Sequence, residues 1–204
     1  SYIFDVQTPT AVITDLHFGL PGRHNLMNAL MAIAMANLFG IPTVEIAKAI
    51  ASFKGIKRRF SYQIKTESKV YIDDYAHHPT ESAATLKGIR DGWDRRLIVV
   101  FQPHLYSRTR DFYQEFGRAF LNSDVFICTD VYPARELPIE GITGDLIAST
   151  TKKFGHKNVH YIADKNNVPA LLNEIKKDGD IIVTMGAGDV WKYGEQFVAM
   201  LNKK

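Results

Sequence analysis

From about Phe60 onward, short apolar or β-branched runs alternate with amphipathic stretches of about a dozen residues, a pattern that predicts βαβ units on a parallel sheet. Strands are expected over 69–75, 96–102, 124–129, 158–162 and 180–185, with 62–65 as a candidate edge strand. Helices are expected between and after them, over 79–92, 107–121, 143–154, 168–177 and 189–201. The fold class is α/β, a Rossmann-like domain with a mostly parallel sheet.

The first 55 residues carry a different pattern. Two short strands, 2–6 and 11–16, precede helices over 25–39 and 43–53, punctuated by Gly40 and Pro42, with Thr43 as the expected N-cap of the second helix. This segment is too small for a stable domain with its own sheet. It reads as the tail of a preceding domain, residues 1–56, joined through a hinge at 56–60 to a second domain, residues 57–204. A chain that starts at Ser1 almost in mid-strand is expected to be a fragment. No internal repeat or low-complexity segment interrupts it.

Chemistry concentrates where the apolar strand Val70-Tyr-Ile72 breaks into Asp73-Asp-Tyr-Ala-His-His78, before Pro79 opens a helix at a position where its missing N–H costs nothing. That places Asp74, Tyr75 and His77 at the carboxyl end of a strand, where open α/β sheets bind ligands. The bland alternative is a polar turn whose aspartates and histidines only cap the helix. Phe101-Gln-Pro-His-Leu-Tyr-Ser-Arg108 follows the next strand and brings His104 and Arg108 to the same edge, with Arg108 near a helix N-terminus as a candidate holder of a carboxylate or phosphate. A third loop, Asp130-Val-Tyr-Pro-Ala-Arg-Glu136, carries a weaker signal.

Asn25 and Asn28 lie one turn apart at the start of the long helix, where two carboxamides suit the edge of an adenine ring; a helix cap and a solvated amide are the plain alternative. Arg58 and Arg59 in an extended hinge would point opposite ways, one into a cleft where it suits a polyphosphate, or both into water. Met185-Gly-Ala-Gly-Asp189 is a weak dinucleotide signal, since Trp191 stands where the third glycine belongs. Its glycines are expected to permit close backbone approach.

Composition narrows the field. The chain has 46% hydrophobic and 23% charged residues, and its net charge of +3 is spread without a basic block, so nucleic acid is not implied. The single cysteine, Cys128, sits in an apolar strand and cannot form an internal disulfide, which fits a reducing, cytoplasmic setting. No apolar run approaches a membrane span of about 20 residues, no Gly-Lys-Ser/Thr phosphate loop occurs, and no Cys/His spacing suggests zinc or another metal.

Four ordered motifs resemble the Mur ligase family: Gly22-x-His-Asn25-x-x-Asn28, Lys57-Arg-Arg-Phe60, Asp73-Asp-Tyr-Ala-His-His-Pro-Thr-Glu81, and Phe101-Gln-Pro-His104 with Ser107-Arg-Thr109. They most resemble the branch that joins L-alanine to UDP-N-acetylmuramate in peptidoglycan synthesis. The resemblance implies a three-domain enzyme that uses ATP and Mg²⁺ to form an acyl phosphate, which the amino acid's amine then attacks. This chain would be the helical tail end of the ATPase domain followed by the Rossmann-like C-terminal domain, inactive alone because the phosphate loop is absent, with its metal ligands mainly in the upstream part.

Carried over, Asn25 and Asn28 would contact adenine, Asp74 the ribose and Arg59 the phosphates, while Tyr75, His77, His104 and Arg108 would line the L-alanine site. Arg59, His77, His104 and Arg108 are the catalytic candidates. Leu105 departs from the pattern, since many family members of this branch carry Arg there, which leaves more of the carboxylate to Arg108. The rival readings are a sister ligase that attaches a tripeptide to the same sugar in cell-wall recycling, and a non-catalytic nucleotide-binding module.

Overall fold

The computed structural model describes residues 2–9 and 11–202, and the chain divides into two compact units, residues 1–56 and 57–204. In the first, β1 (Tyr2–Gln7) and β2 (Val12–Phe18) pair antiparallel and are followed by α1 (Arg23–Leu38) and α2 (Thr43–Ser52). A bulge in the β1–β2 pairing, with Asp15 at φ 56°, breaks the alternation of β2, so that Ile13 and Leu16 both turn inward with Val6 against Ile33 of α1 and Ile46 of α2. This small core covers one side of α1, and Met27, Met31, Met35 and Leu38 stay largely exposed. A helix apolar beyond the face its own unit covers presents surface suited to further burial.

Both helix starts differ from expectation. Gly22 holds the cap position of α1, so Asn25 is a third-position residue, and its amide instead donates to the Pro21 carbonyl at 2.7 Å. Thr43 is the first residue of α2, because extended Pro42 precedes it and takes the cap position with no side-chain bond. Proline already fixes a turn into the helix there, and no hydroxyl cap forms.

The second unit runs β3 (Ser61–Lys65), β4 (Val70–Asp74), α3 (Pro79–Gly92), β5 (Leu97–Phe101), α4 (Tyr106–Ala119), β6 (Val125–Thr129), α5 (Gly144–Lys153), β7 (Val159–Ile162), α6 (Val168–Ile175), β8 (Ile181–Met185) and α7 (Val190–Asn202). Its six-stranded sheet has the order β3-β4-β8-β5-β6-β7, parallel except for the antiparallel edge strand β3. Strands β4, β5, β6 and β8 are buried at every position, the reason they read as continuous apolar runs rather than alternating ones.

Period-two side-chain direction divides those strands between two cores. Ile72, Val99, Phe126 and Val183 pack with Leu86, Phe116 and Ile147 of α3, α4 and α5. Tyr71, Ile98, Ile127 and Ile182 pack with Leu172 and Phe197 of α6 and α7 on the opposite face. Strand β8 lies between β4 and β5, yet its following helix covers the other face, so the chain diverges on either side of β8 at the carboxyl edge. Open α/β sheets bind ligands at such a divergence.

Phe120, just past α4, is fully buried and stacks on Phe126 at 4.2 Å and against Phe101 at 4.7 Å. Phe120→Ala is expected to cost about 3–5 kcal/mol in urea denaturation, whereas Leu137→Ala, at a side chain 85% exposed, should stay within about 0.5 kcal/mol. Equal effects would show that this aromatic stack is not the centre of the core.

Candidate functional site

Strand β4 stays buried to its last residue, so the two carboxylates that end it need partners. Asp73 is 3% exposed; its Oδ2 accepts from Arg58 Nε at 3.0 Å and its Oδ1 from the Thr184 hydroxyl at 2.8 Å. Asp74, 4% exposed, accepts from the N–H groups of Phe60 at 3.0 Å and Ala76 at 2.7 Å and from the Thr85 hydroxyl at 3.4 Å. Burial pushes the Asp74 carboxyl above its ordinary range, against the Ala76 and Phe60 N–H groups and Arg59. Both aspartates brace the turn from beneath rather than face outward.

The arginine pair is not extended. Arg58 and Phe60 adopt left-handed φ values of 61° and 53°, and the guanidinium groups of Arg58 and Arg59 both lie over the Tyr75 ring, at 5.0 and 5.3 Å. Arg58 is occupied: besides Asp73 it donates to the carbonyls of Gly186 at 2.6 Å and Gly188 at 3.4 Å. Arg59 is half exposed and 3.7 Å from Glu81, so of the two it is the one available to a ligand.

Above this base stand the functional candidates. Tyr75 meets His77 edge-on at 5.3 Å, and the His77 and His104 rings are 5.8 Å apart. His77 Nδ1 lies 3.1 Å from the Tyr75 carbonyl and 3.2 Å from Glu81. His78 has the bland role: its ring accepts from the Thr80 N–H and caps α3. Burial depresses both His77 and His104; each ring lies near Arg108, which depresses it further, while Glu81 opposes the shift at His77 and Glu136 at His104. Both rings are therefore neutral near pH 7.

Among the described residues, the buried side-chain polar atoms without a partner include His104 Nδ1 and Arg108 Nη1. Leaving such atoms unpaired carries a desolvation cost of roughly 1–3 kcal/mol each, more for a charged group. A guanidinium nitrogen beside a neutral imidazole nitrogen is complementary to a carboxylate with an adjacent amine. The backbone here is strained as well, since Leu105, between them and at the cap of α4, has φ 74° and ψ 134°.

Sequence reasoning missed several supporting residues. Glu81 accepts from the N–H groups of His77 and His78, a capping box that was legible in the spacing. Tyr132, from the third loop, stacks on His104 at 5.7 Å and 13°. Lys165 pairs with Asp189 at 2.6 Å and lies 5.8 Å from the Tyr132 ring. Glu136 binds Ser107. None of these long-range contacts has a local signal. The Gly186–Gly188 turn is tight as expected, but a side chain at Gly188 would strike Gln102 and Tyr132, so the turn packs against the chain itself.

Asn25 is half-buried and Asn28 exposed in the first unit. Cys128 is fully buried, and burial pushes its thiol well up, which makes it inert. Among the described residues there is no group of three or more His, Cys, Asp or Glu that could hold a metal ion. No described helix is long and apolar enough to cross a membrane.

Residues 58–188, which span this whole edge, match the family described as Mur ligase, glutamate ligase domain. The chain belongs to the Mur ligase family. Over its full length this Mur ligase chain is 53% identical to the UDP-N-acetylmuramate–L-alanine ligase of Flavobacterium johnsoniae, covering 44% of that protein. With the enzyme of the same name from Geotalea uraniireducens it shares 47% identity over 93% of its length, covering 42% of that protein. Among solved structures it is similar to the UDP-N-acetylmuramate–alanine ligase of Thermotoga maritima, with a TM-score of 0.78 and 26% identity over 93% of this chain and 40% of that one. It shares the fold of a murein peptide ligase from Psychrobacter arcticus, with a TM-score of 0.66 and 24% identity over 93% of this chain and 38% of that one. The chain thus spans less than half the length of these relatives.

The histidines set a pH response. Their folded values lie below the ordinary value near 6.5, so on acidification the unfolded chain takes up these protons first. Their contribution to stability is complete above about pH 6.5 and is lost as pH falls through the folded values. Urea midpoints should therefore fall between about pH 7 and pH 5.5, less steeply in a His77→Gln/His104→Gln variant; an identical slope would place the response elsewhere, with buried His156, also depressed by burial, the first alternative.

Proposed function

We propose that this chain is the C-terminal part of an ATP-dependent ligase that joins L-alanine to UDP-N-acetylmuramate through an acyl phosphate, in peptidoglycan synthesis. The pair of buried, unpartnered atoms, His104 Nδ1 and Arg108 Nη1, carries this reading. Family membership and the names of relatives such as the Flavobacterium johnsoniae enzyme support the substrate assignment.

In the first step a carboxylate oxygen of the sugar attacks the γ-phosphorus of ATP and ADP leaves, giving the acyl phosphate. In the second the amine of L-alanine attacks the acyl carbon, phosphate departs with the bonding electrons, and the nitrogen loses a proton. This chain's residues act on the second step. Arg108 takes the amino acid's carboxylate through a charge-assisted bond. His104 and His77, neutral near pH 7, accept hydrogen bonds from the amine and keep its lone pair directed at the acyl carbon, with Tyr75 lining the same pocket. Holding the amine in line removes much of the entropic barrier.

On the nucleotide side, Asn25 and Asn28 would meet the adenine edge and Arg59 the phosphates. Asp74, buried and bonded to the chain at three points, braces the turn that carries Tyr75 and His77. In this reading residues 1–56 are the end of the ATPase domain, and the phosphate loop, the Mg²⁺ ligands and the sugar-binding domain belong to the upstream part of the same enzyme.

The test is phosphate release from ATP in the presence of UDP-N-acetylmuramate and L-alanine, by this chain alone and by the chain joined to its upstream part. Alanine-dependent release by the joined protein only is expected, with Arg108→Ala raising the KM for L-alanine roughly 10- to 100-fold. A folded, ATP-binding joined protein that releases no phosphate with L-alanine would overturn the reading.

A further inference from the structure

Helix α4 carries Arg108 in its first turn but has no cap of its own, because Leu105 at the cap position offers no side-chain acceptor. The first N–H groups of a helix have no partner within it and carry a partial positive charge, so they attract a carboxylate. One arrives from 29 residues away. Glu136, in the loop after β6, accepts the Ser107 backbone N–H at 2.9 Å with one oxygen and the Ser107 hydroxyl with the other.

The same loop is tied to the strand-end segment that carries His104. The Tyr132 N–H donates to the Pro103 carbonyl at 2.8 Å, and its carbonyl accepts from the Leu105 N–H at 3.0 Å. Glu136 is in turn held within its own loop by its N–H, which donates to the Pro133 carbonyl at 2.9 Å. Residues 103–107 and 132–136 therefore form a closed ring of hydrogen bonds, with His104 and Arg108 on its rim.

Among the described residues, no hydrogen-bond partner holds Arg108 Nη1. Arg108 lies in the first turn of α4, which Glu136 engages at Ser107. We propose that Glu136 is a positioning residue for the amino-acid pocket: by capping α4 from the neighbouring loop, it aims Arg108 at the incoming carboxylate.

Its own carboxyl is kept ionised by the Ser107 hydroxyl, the Ser107 and Tyr106 N–H groups and Arg110, so the cap holds throughout the neutral range. The inference rests on the ligase reading, and deepens it by placing affinity for the amino acid partly in a loop that does not touch the amino acid.

The experiment uses the full-length enzyme after the unmodified protein has shown alanine-dependent phosphate release, so that failure of the ligase reading is seen first and separately. KM values for L-alanine, ATP and UDP-N-acetylmuramate are measured for Glu136→Ala, Glu136→Gln, Ser107→Ala and the Glu136→Ala/Ser107→Ala pair. Glu136→Ala should raise the KM for L-alanine about 5- to 10-fold, the worth of a helix cap, with the other two within about twofold. Glu136→Gln, which keeps one acceptor, should fall between it and the unmodified enzyme, and the double variant should be no worse than Glu136→Ala alone.

An unchanged KM for L-alanine, an equal rise in all three constants, or additive effects in the double variant would each overturn the proposal. Should Glu136→Ala fail to fold, Ser107→Ala decides alone. It removes the hydroxyl bond and keeps the backbone one, so a selective rise in the KM for L-alanine supports the role and no change overturns it.

Discussion

Two adjacent carboxylates buried at the end of β4 organise the carboxyl edge. Strand β4 is covered on both faces to its last residue, and a charge in such a place must be paired and hydrogen-bonded or it destabilises the fold by several kcal/mol. Asp73 meets that demand by binding Arg58, near the start of the second unit, and Arg58 in turn fastens the Gly186–Gly188 turn through its carbonyls. Asp74 holds the backbone at Phe60 and Ala76. The start of the second unit, the β4–α3 turn and the β8–α7 turn are thus set by one pair of aspartates.

With the turn braced from below, the side chains above it are free of structural duty. Arg59 stays half exposed beside Tyr75, and His104 and Arg108 keep buried atoms without partners. A fold tolerates such unsatisfied groups, and a Leu at positive φ between them, only where surrounding structure over-determines the geometry. Here it is over-determined by Tyr132 on the His104 ring, by Glu136 on α4 and by Gln102, whose side chain links the end of β5 to Asp189 and to the Val190 N–H of α7.

The architecture was legible because burial on both faces writes uninterrupted apolar runs such as Leu97–Phe101, and these place each strand within a residue or two. The loops at the edge were legible for the same reason: a polar run after a buried strand marks the carboxyl end. Which polar residue is structural was not legible. Asp73 and Asp74 look alike in the sequence but take different partners, and Arg58 and Arg59 divide into a buried brace and an open cation only because the backbone turns left-handed at Arg58. Glu136 and Lys165 act across 29 and 24 residues, distances over which no periodicity or capping pattern carries information. Thr43 and Asn25 show the converse, good capping residues displaced by a proline and a glycine one and three places upstream.

The central claim is that the vacant nitrogens of Arg108 and His104 receive the two ends of an amino acid. A crystal structure of the full-length enzyme with the ligation product UDP-N-acetylmuramoyl-L-alanine tests it most directly. The account predicts the alanine carboxylate within hydrogen-bond distance of Arg108 Nη1, with the new amide nitrogen facing His104. A well-ordered product whose carboxylate lies elsewhere, with Arg108 Nη1 still unpartnered, would contradict it.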